Sequence, residues 1–190
     1  MQGLRTSLLA KQPRAFSEGK VEWINGEWIF FDLETEEAYP LEAFESKEVY
    51  IFRQKSWKKG ILSENGMIRR NQESIQIQPN DFIKIRKQLH YAFELLLEDF
   101  HDAIFFRFIQ QLNKHDFSIY DVIFCHNHLT FLPTMPKQGV NMMVFDNGRH
   151  ILSVLHHFFY DKGRQDRFEF TTNTGERFLY QYTMPPEIAH

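Results

Sequence analysis

Apolar and polar residues alternate along the first half of the chain, and the apolar ones recur every three to four residues through its middle. Between Gly19 and Asp32 the run KVEWI, NG, EWIFF alternates around Asn25 and Gly26, and Asn-Gly supplies the positive φ that a two-residue hairpin turn needs. That turn sets Trp23 opposite Trp28 and Val21 opposite Phe30 on a core-facing side. A second Asn-Gly, Asn65 and Gly66, separates WKKGILSE from MIRR, and further strand patterns fall at 47–52 (KEVYIF), 74–78 (SIQIQ) and 81–87 (DFIKIRK). Short strands at this density predict a small SH3-like or OB-like β-barrel over 19–87, because closure removes exposed edges. Residues 1–18 are then an N-terminal extension.

At Gln88 the period changes. Leu89, Phe93, Leu96, Phe100, Ile104, Phe108 and Leu112 predict one continuous amphipathic helix over 88–113. Ser118 with Asp121 forms a capping-box pair, and Phe117 can staple to Val122, which predicts a second helix running to about His128. Pro133 and Pro136 end any continuation. VNMMVFD and RHILSVLHHFF then flank Asn147-Gly148, while DRFEFT and ERFLYQYT flank a loop holding Asn173 and Gly175. The expected fold class is α+β: the barrel, a long helix, a short helix, and a four-stranded antiparallel meander with Phe168, Phe170, Phe178 and Tyr180 inward. The α+β domain covers 88–182, and 183–190 is a tail.

Composition sharpens this reading. Aromatics make up 16% of the chain, with 20 Phe, enough for dense cores. The net charge of -3 lacks the global positive field of a dedicated nucleic-acid binder. A single cysteine, Cys125, excludes an internal disulfide and points to a reducing cytoplasm. No uncharged apolar run nears the ~20 residues of a membrane span, and the apolar stretch near the N-terminus is too short for a signal, so neither a membrane partner nor export is expected.

Charge is distributed unevenly. Residues 32–48 hold seven acids against Lys47, whereas 53–87 hold nine bases against Glu64, Glu73 and Asp81. Trp57 lies among Arg53, Lys55, Lys58 and Lys59, with Arg69 and Arg70 downstream. An aromatic ringed by bases suits single-stranded RNA or DNA through stacking and phosphate contacts, and it suits a protein partner equally.

All nine histidines and the cysteine lie at or beyond His90. On the expected short helix Cys125 and His128 share a face at i and i+3, and on the next strand His156 and His157 point to opposite sides. Cys125, His128 and one of the two strand histidines could then ligate a zinc with an open position for water. The spacing matches no standard zinc pattern, and buried core residues explain the same letters. His126-Asn127-His128 are consecutive, unlike the separated residues of HNH nucleases. Glu98 and His101 form one Glu-x-x-His pair where a di-iron bundle needs two. Phosphate-loop, dinucleotide, nucleophile-elbow, H-E-x-x-H and C-x-x-C signatures do not occur in the sequence. These patterns point to a cytoplasmic, non-catalytic binding or regulatory protein acting on a protein partner, with nucleic-acid binding and a metal-dependent enzyme as the competing readings.

Overall fold

The computed structural model describes residues 2–71 and 73–184, which form two compact units: one spans residues 14–87, and the other joins those before residue 14 to those from 88 onward. No described helix is long and apolar enough to cross a membrane.

The chain opens with a helix, α1 (Gln2–Ala10), which belongs to the second unit. The first unit comprises β1 (Phe16–Ile24), β2 (Glu27–Asp32), β3 (Ala38–Pro40), β4 (Glu48–Arg53), β5 (Ser56–Ser63), β6 (Met67–Arg70), β7 (Glu73–Gln76) and β8 (Asp81–Arg86). They form one antiparallel sheet in the order β3-β2-β1-β8-β4-β5-β6-β7. The sheet is open, which corrects the expected SH3-like or OB-like barrel. Closure is one remedy for bare edges; short edge strands are another, and β3 and β7 run for only three and four residues, β3 ending in Pro40. The Asn25-Gly26 turn has positive φ at both residues, and the β1/β2 register pairs Trp23 with Trp28 and Val21 with Phe30. Val21 and Phe30 are buried with Leu41, Val49, Ile51, Leu62, Ile68, Ile77, Ile83 and Ile85, so one face of the sheet carries the core.

In the second unit the single long helix is corrected to two, α2 (Tyr91–Asp99) and α3 (Asp102–Lys114), with Phe100 and His101 extended between them. Arg5 of α1 explains the break. Its guanidinium donates to the carbonyls of Leu97 (3.1 Å) and Phe100 (2.6 Å) and pairs with Asp102 in the first turn of α3. It thereby satisfies α2's orphan C-terminal carbonyls, where the helix dipole favours a cation. The apolar period survives because each helix buries its own stripe, while the Phe100 ring turns into the core against Phe108 and Phe168.

The expected second helix is also corrected. The Ser118–Asp121 capping box is present, but it opens a single 3-10 turn, Ile119–Asp121. The next residues, Val-Ile-Phe-Cys, are mostly β-branched or aromatic, and they pair as a strand, β9 (Val122–His126). With β10 (Lys137–Asp146), β11 (Ile151–Tyr160), β12 (Arg164–Thr172) and β13 (Arg177–Met184), the expected four-stranded meander becomes a five-stranded sheet in the order β13-β12-β11-β10-β9. Thr183 and Met184 of the expected tail lie in β13, and residues 185–190 fall outside the described ones. The architecture is mostly β, with two open sheets and three α-helices among the described residues, in place of a barrel followed by a long helix.

Candidate binding surfaces

The face of the eight-stranded sheet opposite its core is set by strand alternation. In β4, Val49 and Ile51 enter the core, so Glu48, Tyr50 and Phe52 point the other way; in β5 the same logic turns Trp57, Lys59 and Ile61 outward, and in β8 Phe82, Lys84 and Arg86. Cross-strand pairing sets Phe52 opposite Trp57, Tyr50 opposite Lys59 and Lys84, Lys20 opposite Phe82, and Phe16 opposite Arg86. The Phe52 and Trp57 rings lie 5.2 Å apart, and Phe16 meets Tyr50 edge to face at 5.1 Å. Cations cover several of these rings: Lys84 sits 4.5 Å from the Trp57 centroid, Arg86 4.6 Å from Phe16, and Lys20 5.1 Å from Phe82.

Three of the bases on this face are already paired. Glu48 binds Lys59 (2.5 Å) and Arg86 (3.2 Å), and Glu18 binds Lys84. Partial burial pushes the Glu48 carboxyl up, but the hydrogen bonds from Lys59 and Arg86 outweigh it and hold it below the usual range. Phe52, Trp57 and Phe82 nevertheless stay 43%, 38% and 42% exposed, so the face offers apolar rings beside partly paired charges.

The residues expected to form a basic patch separate between two sides. Trp57, Lys59 and Arg69 share the outer face, Arg69 lying opposite Ile61. Arg53 has the other parity and bonds Asp81 and Gln78; Lys58 bonds Gln54; Arg70 takes the side of Ile68; Lys55 occupies the positive-φ turn between β4 and β5. Sequence reasoning missed Phe16, Tyr50, Phe52, Phe82, Lys84 and Arg86. The period-2 pattern of KEVYIF and DFIKIRK carried the signal, since it places each set on one face.

The Cys125, His128 and His156 set loses its geometric basis, because Cys125 lies on a strand. There it turns toward Met143 and the core while His126 turns away, and His128 belongs to a 3-10 turn, His128–Phe131. Among the described residues no three His, Cys, Asp or Glu side chains gather as a metal site. Burial pushes the Cys125 thiol up to about 12, the reverse of an activated nucleophile.

His156 has a different setting. Asn141 accepts, through Oδ1, the backbone N–H groups of His128 (2.7 Å) and Leu129 (3.3 Å), which leaves its Nδ2 to donate to His156 Nδ1 at 3.1 Å. His156 therefore carries its proton on Nε2, 2.8 Å from Asp166 Oδ1, and the Tyr160 hydroxyl donates to that same oxygen. Asn141, His156 and Asp166 are fully buried, and the His156 ring stacks on Phe168 at 4.2 Å. Burial lowers the His156 pKa against the opposing pull of Asp166, and burial raises that of Tyr160. The chain of bonds ties the 128–131 turn to the sheet. His157 is on the outer side and meets Glu169 at 3.3 Å.

These features define a mostly β, two-unit protein whose exposed chemistry is aromatic and charge-paired. The chain belongs to a family of proteins of unknown function, DUF2777, whose model matches residues 4–182 and so runs through both units. It is 26% identical over 137 residues to the uncharacterized protein YisN of Bacillus subtilis strain 168, covering 72% of this chain and 70% of that protein. No solved structure matches it.

Proposed function

We propose that the protein is a non-catalytic binding protein of the reducing cytoplasm that docks a partner protein on the outer face of its eight-stranded sheet. The observation behind this reading is the set of exposed rings beside cations, three of which are engaged by carboxylates. Trp, Tyr, Phe and Arg are the residues that anchor protein interfaces, with charge balanced at their rim. A nucleic-acid platform needs cations left for phosphates, whereas three of the five cations on this face among the described residues are held, Lys59 and Arg86 by Glu48 and Lys84 by Glu18, which leaves Lys20 and Arg69.

A fluorescence-anisotropy titration of the full chain with a ~20-nucleotide single-stranded DNA or RNA at low salt separates the two ligands. A protein-docking face gives no saturable binding. Saturable binding that falls steeply with salt and weakens in Trp57→Ala would assign the face to nucleic acid and overturn the proposal.

A further inference from the structure

Alternation along β1 and β2 turns Trp23 and Trp28 to the side of Val21 and Phe30, away from the face that carries Phe52 and Trp57. Near the hairpin tip the two indoles meet edge to face, with centroids 5.2 Å apart and planes at 67°, so together they make an aromatic corner. Trp28 is held in place: Gly66, at φ +70°, lets the indole so close that a Cβ there would lie 2.8 Å from Trp28 Nε1. Trp23 remains 52% exposed as the open wall.

The corner borders a cavity of about 250 Å³ that is also lined by Glu42, Glu45 and Glu64. All three carboxylates are exposed, and none takes part in an ion pair among the described residues. They do not converge on a point, since no three acidic side chains gather as a metal site among the described residues. Dispersed negative charge around two indoles suits a cation that is large and weakly hydrated, because a compact metal ion demands several oxygens at once. The volume lies under the ~300 to 1,000 Å³ of pockets for drug-sized ligands and fits a head group.

We infer that this corner binds an alkylammonium group, a quaternary or methylated amine, with the Trp23 and Trp28 rings against its methyl groups and Glu42, Glu45 and Glu64 supplying the attracting field. The site is on the other side of the sheet from the proposed partner face and does not depend on it. Two sources carry this chemistry: a free small molecule of the choline type, and a methylated lysine in a peptide.

The sequence holds three tryptophans, so isotope-labelled full chain gives three indole N–H signals, with Trp57 as the internal control. The protein is titrated at constant ionic strength with tetramethylammonium chloride, choline chloride, a trimethyllysine peptide, and dimethylbutanol, the neutral carbon isostere of choline. Saturable shifts of the Trp23 and Trp28 signals are expected, with Trp57 unmoved and dimethylbutanol at least about tenfold weaker. Trp23→Ala removes a half-exposed wall, so the Trp28 and Trp57 signals should persist while affinity falls about five- to thirty-fold. Glu42→Gln combined with Glu64→Gln should weaken binding and flatten its salt dependence. Tighter binding of the peptide than of choline identifies the peptide as the source, and the reverse order identifies the small molecule. No shift at any concentration, equal binding of dimethylbutanol, or movement of Trp57 alone would overturn the site.

Discussion

His156 shows how a single residue can look like a metal ligand and serve as a strut. Its neutral imidazole is held between an amide that must donate and a carboxylate that must accept, and all three groups are buried. Because burial lowers its pKa below the ordinary 6.5, the unfolded chain binds more protons than the native one between those two values. Stability should therefore be unaffected by this group above about pH 6.5 and should decline as pH falls below it. His156→Gln keeps a donor and an acceptor but cannot titrate. It should cost about 1 to 3 kcal/mol near neutrality and flatten the acid decline, read as the urea midpoint at several pH values. Equal slopes in both proteins would remove His156 from the acid response. The partnership was not legible from the turn signal: a two-residue Asn147-Gly148 turn would set Asn141 opposite Val154, whereas the loop spans 147–150, pairs Asp146 with Ile151 and so brings Asn141 opposite His156. Asp166 and Tyr160 were not legible, because their approach depends on side-chain reach across the sheet's inner face.

Among the elements, the clearest departure from the sequence pattern is the break between α2 and α3. No Gly or Pro marks it, and the apolar period runs through it, so nothing local separates one helix from two. The cause lies about ninety residues upstream, in the Arg5 guanidinium that takes the Leu97 and Phe100 carbonyls. Arg5→Met preserves much of the stem but removes these charged hydrogen bonds, and should destabilise the second unit by about 1.5 to 3 kcal/mol. Backbone amide exchange should rise in α1 and at 97–102; unchanged protection there would mean that the break is intrinsic to residues 99–101. The capping box was legible and correct in its bonds, yet it started only one turn. Whether a helix continues past its cap is decided by the residues downstream, and here Val122 to Cys125 found a neighbour in β10. Hairpin turns were the most legible elements, since Asn25-Gly26 and Asn65-Gly66 take positive φ at both residues, although the third connection is a loop over 147–150 with positive φ only at Gly148; sheet closure was the least, since it depends on how β3 and β7 are terminated.

At the scale of the whole molecule, each sheet buries one side in its own unit's core, and the outer side of the eight-stranded sheet keeps rings exposed beside cations of which Lys59, Lys84 and Arg86 are held by carboxylates. Trp57, Lys59 and Arg69 were legible as members of this face, whereas its extent was not, because Phe16, Phe52 and Phe82 come from three strands brought together by the order β1-β8-β4-β5. The most direct test of a protein-docking face is site-specific photo-crosslinking of the full chain inside cells. The photoreactive residue replaces Phe52 or Phe82 in turn, with exposed Glu73 on β7 as the control position. Docking of a partner protein predicts one adduct of the same mass from both Phe positions and none from Glu73, resistant to nuclease, removed by protease, and lost when Trp57→Ala is added. An adduct destroyed by nuclease, or yields at Phe52 and Phe82 no greater than at Glu73, would contradict it.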